Sequence, residues 1–537
     1  MAGHASKHPF DRLTLLLRLE RNDLWVCVIF SAAIGLLTLV VPIATQSLVN
    51  TIAFGNLLQP LVVLTGVVMA VLGLSTVLQT MRFHVVEILQ RRLFVRVASD
   101  AANRLLRARA DALEEMHGPE LVNRFLEVVT LQKSGATLLV DGLSVGMQTL
   151  VGSVLLAFYH PYLLAFVMVL MGAILVIVFP LGRGAVATAI EESKAKYDLM
   201  AWLEETARHP TTFRSDASRR YALERTNELV GEYLSHRGSH FRILIRQVVG
   251  TWVLYAVASA LLLGVGGWLV IQRQLTLGQL IASELVLALV LSGFSKLGKH
   301  LETYYDLLAA MDKLGYLTDL PLESPRDSGP GRGPSGVDAR GLIWRGVLQG
   351  VDVTIRPRER LGLAGSSGSG KTTLIDILCG FREADGGSVV VDGPVAVVRG
   401  PEVFHGTIEE NVRVGRSASL DEIRRALQTA CVWDDVLSLP DGLSTTLATG
   451  GRPLSGGQVM RLMFARAIVA RPGLMIVDEA LDGLDDSAWC TALVDALFAP
   501  DAPWTLLVVT NREDLLNRCD RVLRLKSGQV IELTPSR

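Results

Sequence analysis

Between Asp23 and Arg82 the chain carries no charged side chain. A membrane-crossing helix needs about 20 apolar residues, so this stretch is too long for one crossing. Phe54-Gly55-Asn56 and Pro60 break it into a hairpin of two. A second uncharged run lies between Asp141 and Arg183 and breaks at His160-Pro161. A third separates Arg246 from Arg273, and a sixth apolar stretch covers Leu275 to Ser295. The sequence predicts six spans, near residues 24–51, 59–81, 136–159, 161–181, 247–272 and 276–296.

The loops set the orientation. Turns 52–58 and 159–162 hold no Lys or Arg, and the turn near 273 holds only Arg273. Segments 82–133 and 183–246 are crowded with both, and positive residues stay inside. Both termini are therefore expected on the cytoplasmic side of a plasma (inner) membrane. The two basic segments read as helices that carry the spans well into the cytosol. Before the first span, Lys7, Arg12, Arg18 and Arg21 flank Leu13 to Leu19, which is too short to cross and is no cleavable signal. Residues 1–23 read instead as an amphipathic elbow lying on the bilayer surface.

The expected architecture is an all-α membrane domain of six transmembrane helices at 24–318, followed by a cytoplasmic α/β ATPase domain at 338–537. A Pro-, Gly- and Ser-rich linker at 319–337 joins them. Net charge is −1, which gives no case for a nucleic-acid partner. The five cysteines form no CxxC pair and no metal spacing, and read as small buried hydrophobes.

Beyond the linker, apolar runs such as Leu361–Ala364, Val395–Val398, Leu474–Val477 and Leu506–Val509 look like strands. Gly365-Ser366-Ser367-Gly368-Ser369-Gly370-Lys371-Thr372-Thr373 follows the first of them and leads into a helix. That strand–loop–helix context is what a phosphate-binding loop requires. Its glycines turn backbone N–H groups toward phosphate oxygens, and the helix start adds favourable partial charge. Lys371 is expected to reach the terminal phosphates of ATP, and Thr372 to ligate Mg²⁺. Leu474 to Val477 ends in Asp478 and Glu479. Asp478 is placed to hold the magnesium, Glu479 to polarise the attacking water. Between loop and acids stands Leu454-Ser455-Gly456-Gly457-Gln458, opening a helix whose start suits an anion. A helix that completes another site implies paired domains with ATP between them.

With these motifs in hand, the chain resembles an ATP-binding cassette (ABC) exporter of the half-transporter type, over nearly its whole length. Leu275 to Leu280 looks like the turn into the family's sixth span. Met116 to Arg124 and the region of Glu204 to Ser215 look like its coupling helices. The resemblance implies a dimer with a second half-transporter, each phosphate loop facing the partner's signature, exporting a peptide, lipid or hydrophobic compound through the lipid bilayer. It implies Trp344 as the aromatic that stacks on adenine and Asp485 as the D-loop acid.

Three positions depart from the pattern. The switch histidine is Asn511, the Q-loop glutamine falls at Arg399, and the glutamate before the signature falls at Thr449. Asn511 can hydrogen-bond a phosphate but cannot carry a proton, and Arg399 is no amide ligand for magnesium. Slow hydrolysis is the expectation, in a homodimer or beside a stronger partner site. An ATP-gated, slowly hydrolysing regulatory or channel-like protein is the alternative. Glu284, inside the sixth span, is weighed between cargo binding and a bland role. His236 and His240, four apart on a helix, read as a solvated face.

Overall fold

The computed structural model describes residues 9–52, 58–110, 112, 118–323, 333–482 and 488–533. The chain divides into a helical unit, residues 1–107 and 114–320, and an α/β unit, residues 108–113 and 321–537.

The helical unit opens with α1 (Pro9–Leu19), whose Leu13 and Leu16 pack on a buried cluster around Leu307 and Met311. Its Arg12 is buried and donates to Asp319 at 2.6 Å. The first apolar stretch forms α2 (Arg21–Thr38) and α3 (Val40–Ile52), with the break at Leu39, three residues before Pro42. Next come α4 (Leu58–Leu106), α5 (Gly118–Phe125) and α6 (Glu127–Thr137). A π turn, Leu138–Gly142, joins α6 to α7 (Leu143–Tyr159). Then follow α8 (Pro161–Val178), α9 (Ala185–Arg208), α10 (Asp216–Ile271), α11 (Leu277–Ser295) and α12 (Leu297–Thr318).

Among the described residues five helices are long and apolar enough to cross a membrane: Arg21–Thr51, Gln59–Leu106, Leu121–Tyr159, Pro161–Val178 and Asp216–Ile271. Where the sixth span was expected lies a shorter apolar helix, Leu277–Val290, so the count of six spans is not reproduced. At 1.5 Å per residue, the 56 residues of α10 reach about 80 Å, far beyond the ~30 Å of a hydrocarbon core. The basic half of that helix therefore extends past the bilayer. Val62, Val63 and Met69 on α4 stay exposed, as side chains facing hydrocarbon would.

The break at His160-Pro161 has a local cause. His160 caps α8, its Nδ1 accepting from the Tyr162 N–H at 3.2 Å, and Pro161 fills the first turn, where no N–H is needed. Gly278 shows why a small residue starts α11. A Cβ there would meet Asn50 Oδ1 at 2.5 Å and the Gln46 carbonyl at 2.7 Å, so α11 and α3 touch backbone to backbone. Gln46 also accepts from the Tyr159 hydroxyl at 2.6 Å. Glu284 on α11 has Oε2 sealed from solvent without a hydrogen-bond partner. Neither His236 nor His240 is fully solvated: His236 is half-buried with Nδ1 3.6 Å from Glu191, and His240 is 1% exposed and shares a 2.9 Å hydrogen bond with Thr188. The region of Glu204 to Ser215 is the end of α9, a turn, and the Ser215 cap of α10.

The α/β unit contains a six-stranded sheet in the order β11-β10-β3-β9-β8-β5, with ranges Gln529–Leu533, Arg521–Lys526, Arg360–Ala364, Thr505–Val509, Leu474–Asp478 and Val395–Val398. All neighbours are parallel except β10 and β11. Apart from Arg360, Asp478 and Thr505 at their ends, strands β3, β8 and β9 are apolar because they are covered on both faces. A three-stranded antiparallel sheet, β2-β1-β4 (Leu348–Ile355, Val337–Trp344, Gly386–Val391), shares a buried cluster with helix α13 (Lys371–Cys379) and β3. On the other face, a second cluster gathers the short helices α14 (Ile408–Arg413), α15 (Leu420–Thr429) and α16 (Trp433–Leu437), and the longer α17 (Gly456–Val469) and α18 (Ala488–Leu497). Strands β6 (Gly406–Thr407) and β7 (Thr446–Leu447) form a small ribbon, and α19 (Glu513–Leu516) precedes β10.

One piece of the N-terminal half belongs to this unit. Arg109 N–H donates to the Pro321 carbonyl and Ala110 N–H to the Phe381 carbonyl, each at 3.0 Å, and Arg109 pairs with Glu383 at 3.0 Å. The first coupling-helix expectation falls partly outside the described residues, at Met116 and His117; its remainder lies in α5.

Candidate functional site

Four loops leave the carboxyl ends of neighbouring parallel strands β3, β9, β8 and β5. Ligands gather at this edge in open α/β sheets. The register aligns the loops: Leu363 faces Val509, Val509 faces Asp478, and Val398 faces Val477. Gly365, Thr510-Asn511, Asp478-Glu479 and Arg399 therefore emerge side by side.

After β3 the chain turns through Gly368 (φ +77°) and Gly370 (φ +101°), conformations that side chains with a Cβ rarely adopt. Ser366 and Ser367 are exposed, while Ser369 is buried and its Oγ has no hydrogen-bond partner. Lys371 opens α13 and is 6% exposed. Its ammonium donates to the carbonyls of Gly365 at 2.9 Å and Ser366 at 3.2 Å, and lies 3.3 Å from Glu479 Oε1. Glu479 takes φ +55° at the end of β8, a strained turn for a non-glycine, with its N–H fixed on the Val509 carbonyl at 3.0 Å. An orphan hydroxyl, a buried ammonium and a helix start converge on one concave loop, which fits a nucleotide's phosphates.

Beside it lies a network of four charges. Arg399 donates from Nε to Asp478 Oδ2 and from Nη2 to Asp376 Oδ1, each at 2.7 Å. Arg382 donates to the other Asp376 oxygen at 2.9 Å. Asp376, Asp478 and Arg382 are buried. Burial pushes the Asp478 carboxyl above its ordinary value, and the Arg399 guanidinium pulls it back. Asp478 and Thr372 are hard oxygen donors of the kind magnesium takes. A divalent ion, however, would have to share the Asp478 carboxylate with a guanidinium that already holds it. The residues as arranged do not fit both cations. Arg399, at the Q-loop position, thus bridges these two carboxylates.

Asn511 Oδ1 accepts from the Gly365 N–H at 3.2 Å, which ties the switch position to the phosphate loop. Next to it, Thr510 donates to Asp482 and accepts from the Arg512 N–H at 3.0 Å. Trp344, at the end of β1, has the guanidinium carbons of Arg382 and Arg345 within 5.0 and 5.2 Å of its ring centroid. Ser455 caps α17 in a reciprocal box with Gln458, whose amide also donates to Asp435 at 2.8 Å. A Cβ at Gly456 or Gly457 would meet nothing, so nothing within the chain requires glycine there. Among the described residues no hydrogen bond or ion pair joins Ser455–Gln458 to the phosphate loop. Thr373 is half-buried behind Thr372 on α13, and Asp485 lies outside the described residues.

Residues 24–294 match the ABC transporter transmembrane region, and residues 348–482 match the ABC transporter family. The chain is an ABC transporter. Among its relatives, the mycobactin import ATP-binding/permease protein IrtB of Mycolicibacterium thermoresistibile is 32% identical over 336 residues, 58% of each chain. Its counterpart in Mycolicibacterium smegmatis is 29% identical over 77% of this chain and 74% of its own. An ATP-dependent lipid A-core flippase of Burkholderia pseudomallei is 37% identical over 204 residues, 35% of this chain and 34% of its own. The solved structure of a bacterial Atm1-family ABC exporter with ATP bound superposes with a TM-score of 0.82 over 96% of both chains, at 20% identity, which establishes the fold. The transporter thus pairs a multi-pass membrane region with a domain whose family implies ATP binding and hydrolysis.

Sequence reasoning about this ABC transporter missed Asp376, Arg382 and Asp482. Asp376 carried a signal, as a lone acid within the apolar run Leu374 to Cys379. Asp482 carried another, as a third acid just after Asp478 and Glu479. Arg382 carried none, because only the fold brings it to Asp376.

Proposed function

We propose that this chain is a half-transporter that works as a dimer and uses ATP to export a peptide, lipid or hydrophobic compound across the plasma (inner) membrane, with both termini and the ATPase unit in the cytosol. The observation that carries the reading is the buried Lys371 ammonium in the phosphate loop, 3.3 Å from Glu479. ATP is the substrate this pairing suits. The loop N–H groups and Lys371 bind and orient the phosphates, and Glu479 accepts the proton of the attacking water. Asn511 holds the first N–H of the loop and can donate from its amide toward a phosphate, but it cannot shuttle a proton. Hydrolysis is accordingly slow. The signature, Ser455 to Gln458, is free of its own phosphate loop and is offered to the partner's ATP, with Trp344 stacking on adenine and Asp485 linking the two sites.

Reconstituted in lipid vesicles, Asn511→His should raise the ATPase rate, while Glu479→Gln should abolish it. An unchanged rate in the glutamine variant would remove Glu479 from this role. Vesicles with outward-facing ATPase units should accumulate cargo. Uptake in the opposite direction, favoured by the two mycobactin import relatives, would show as efflux from the same vesicles. The grip of Arg399 on Asp478 favours a second reading, an ATP-gated regulatory or channel-like protein. It predicts a conformational response to ATP with no turnover.

A further inference from the structure

We propose that the guanidinium of Arg399 is a resident cation at the phosphate end of this chain's own nucleotide site, so that ATP binds there without a divalent metal ion. The inference rests on the ATP-site reading above and goes beyond it.

The placement is built into the backbone. Val398 pairs with Val477 across β5 and β8, so the residues that follow, Arg399 just past β5 and Asp478 at the end of β8, stand at the same level. Arg399 does not wander into this contact. It is held from behind by Asp376 on α13, at 2.7 Å, and Asp376 is held in turn by the buried Arg382 at 2.9 Å. Two acids and two arginines close into a set of zero net charge. The Asp478 carboxylate, otherwise the natural anchor for a divalent ion, is thus neutralised from within the chain.

Chemistry makes the guanidinium a workable substitute. It stays charged at any physiological pH, and its planar fork can face a carboxylate on one edge and phosphate oxygens on another. Asp478 and Asp376 take Nε and Nη2 respectively, while 37% of the side chain remains accessible. A divalent ion entering here would meet a fixed positive charge in contact with its own ligand, and like charges at that range repel. With Lys371 on one side of the loop and Arg399 on the other, the phosphates of free ATP find two cations already in place.

The test is equilibrium binding of radiolabelled ATP to the purified full-length chain in nanodiscs, with excess Mg²⁺ and with EDTA. The wild-type Kd should change by less than about threefold between the two buffers. Arg399→Gln should bind more weakly in EDTA by about tenfold or more, and recover when Mg²⁺ is restored. The wild-type comparison needs no variant, and Arg399→Lys, which keeps a positive charge, should retain metal-free binding should the glutamine variant lose stability. A wild-type chain that binds ATP only with Mg²⁺ overturns the role of Arg399 and leaves the ATP site standing. A glutamine variant indifferent to metal also overturns it. A chain that binds ATP in neither buffer removes the site itself, and this inference with it.

Discussion

Lys313, on α12, has 1% of its side chain exposed. Burial pushes its ammonium down from the ordinary 10.5 to about 8, against the pull of Asp312 at 3.8 Å. Two tyrosine rings, Tyr197 and Tyr316, lie within 5.8 Å of Nζ and offset part of that cost. The folded chain prefers the neutral amine, so the penalty is full below pH 8, where both folded and unfolded states carry the charge. It fades as pH rises from about 8 to 10.5. Lys313→Met, close in volume, should therefore stabilise the protein near pH 7 by up to about 3 kcal/mol, an order-of-magnitude figure from the size of the shift. Thermal unfolding at pH 7 and pH 10 checks this: the gain should shrink at the higher pH, and a gain that is absent or independent of pH would count against it. Nothing in the sequence marks Lys313, which reads as an ordinary charge on an amphipathic helix. Lys371 and Glu479 were legible because their spacing is set by local chemistry. The pairing of Arg399 with Asp376 was not, because it depends on strand order.

Among the elements, the breaks at Pro161 and before Pro42 follow from residues that cannot continue a helix, and hydropathy found the apolar stretches they divide. The π turn at Leu138–Gly142 left no such trace, since one extra residue in a turn hardly alters an apolar run. From the span expected near 136–159 the helix runs back through α6 to Glu127, inside the basic segment that also reads as helical. Strands β3, β5, β8 and β9 were legible as apolar runs, yet their order in the sheet was not, because parallel neighbours come from distant segments. Gly278 gives the element scale its prediction. Gly278→Val should force α11 away from α3 and cost about 1–3 kcal/mol through overpacking. A variant as stable as wild type in a detergent unfolding assay would mean that the two helices yield easily.

For the whole molecule, the fold is that of a half-transporter, and the proposed head-to-tail dimer makes a sharp prediction. Lys371→Ala disables a chain's phosphate loop, and Ser455→Arg disables its signature. Each variant alone should be inactive as an ATPase. Mixed before reconstitution, they should regain activity, because one composite site then combines an intact loop with an intact signature. Failure to recover would point to a different partner chain or to sites confined within one chain. The proposed pairing was drawn from a signature that opens a helix away from its own phosphate loop, and Gly456 and Gly457 there are exposed.

The string Trp344–Arg382–Asp376–Arg399–Asp478 ties the indole to the far end of the pocket. Were a purine to stack on Trp344 as proposed, it would meet the ring that Arg382 covers, and any hold Arg382 lost on Asp376 would fall to Arg399. Base recognition and the state of the acid at the tip of β8 would then be coupled through one chain of charges.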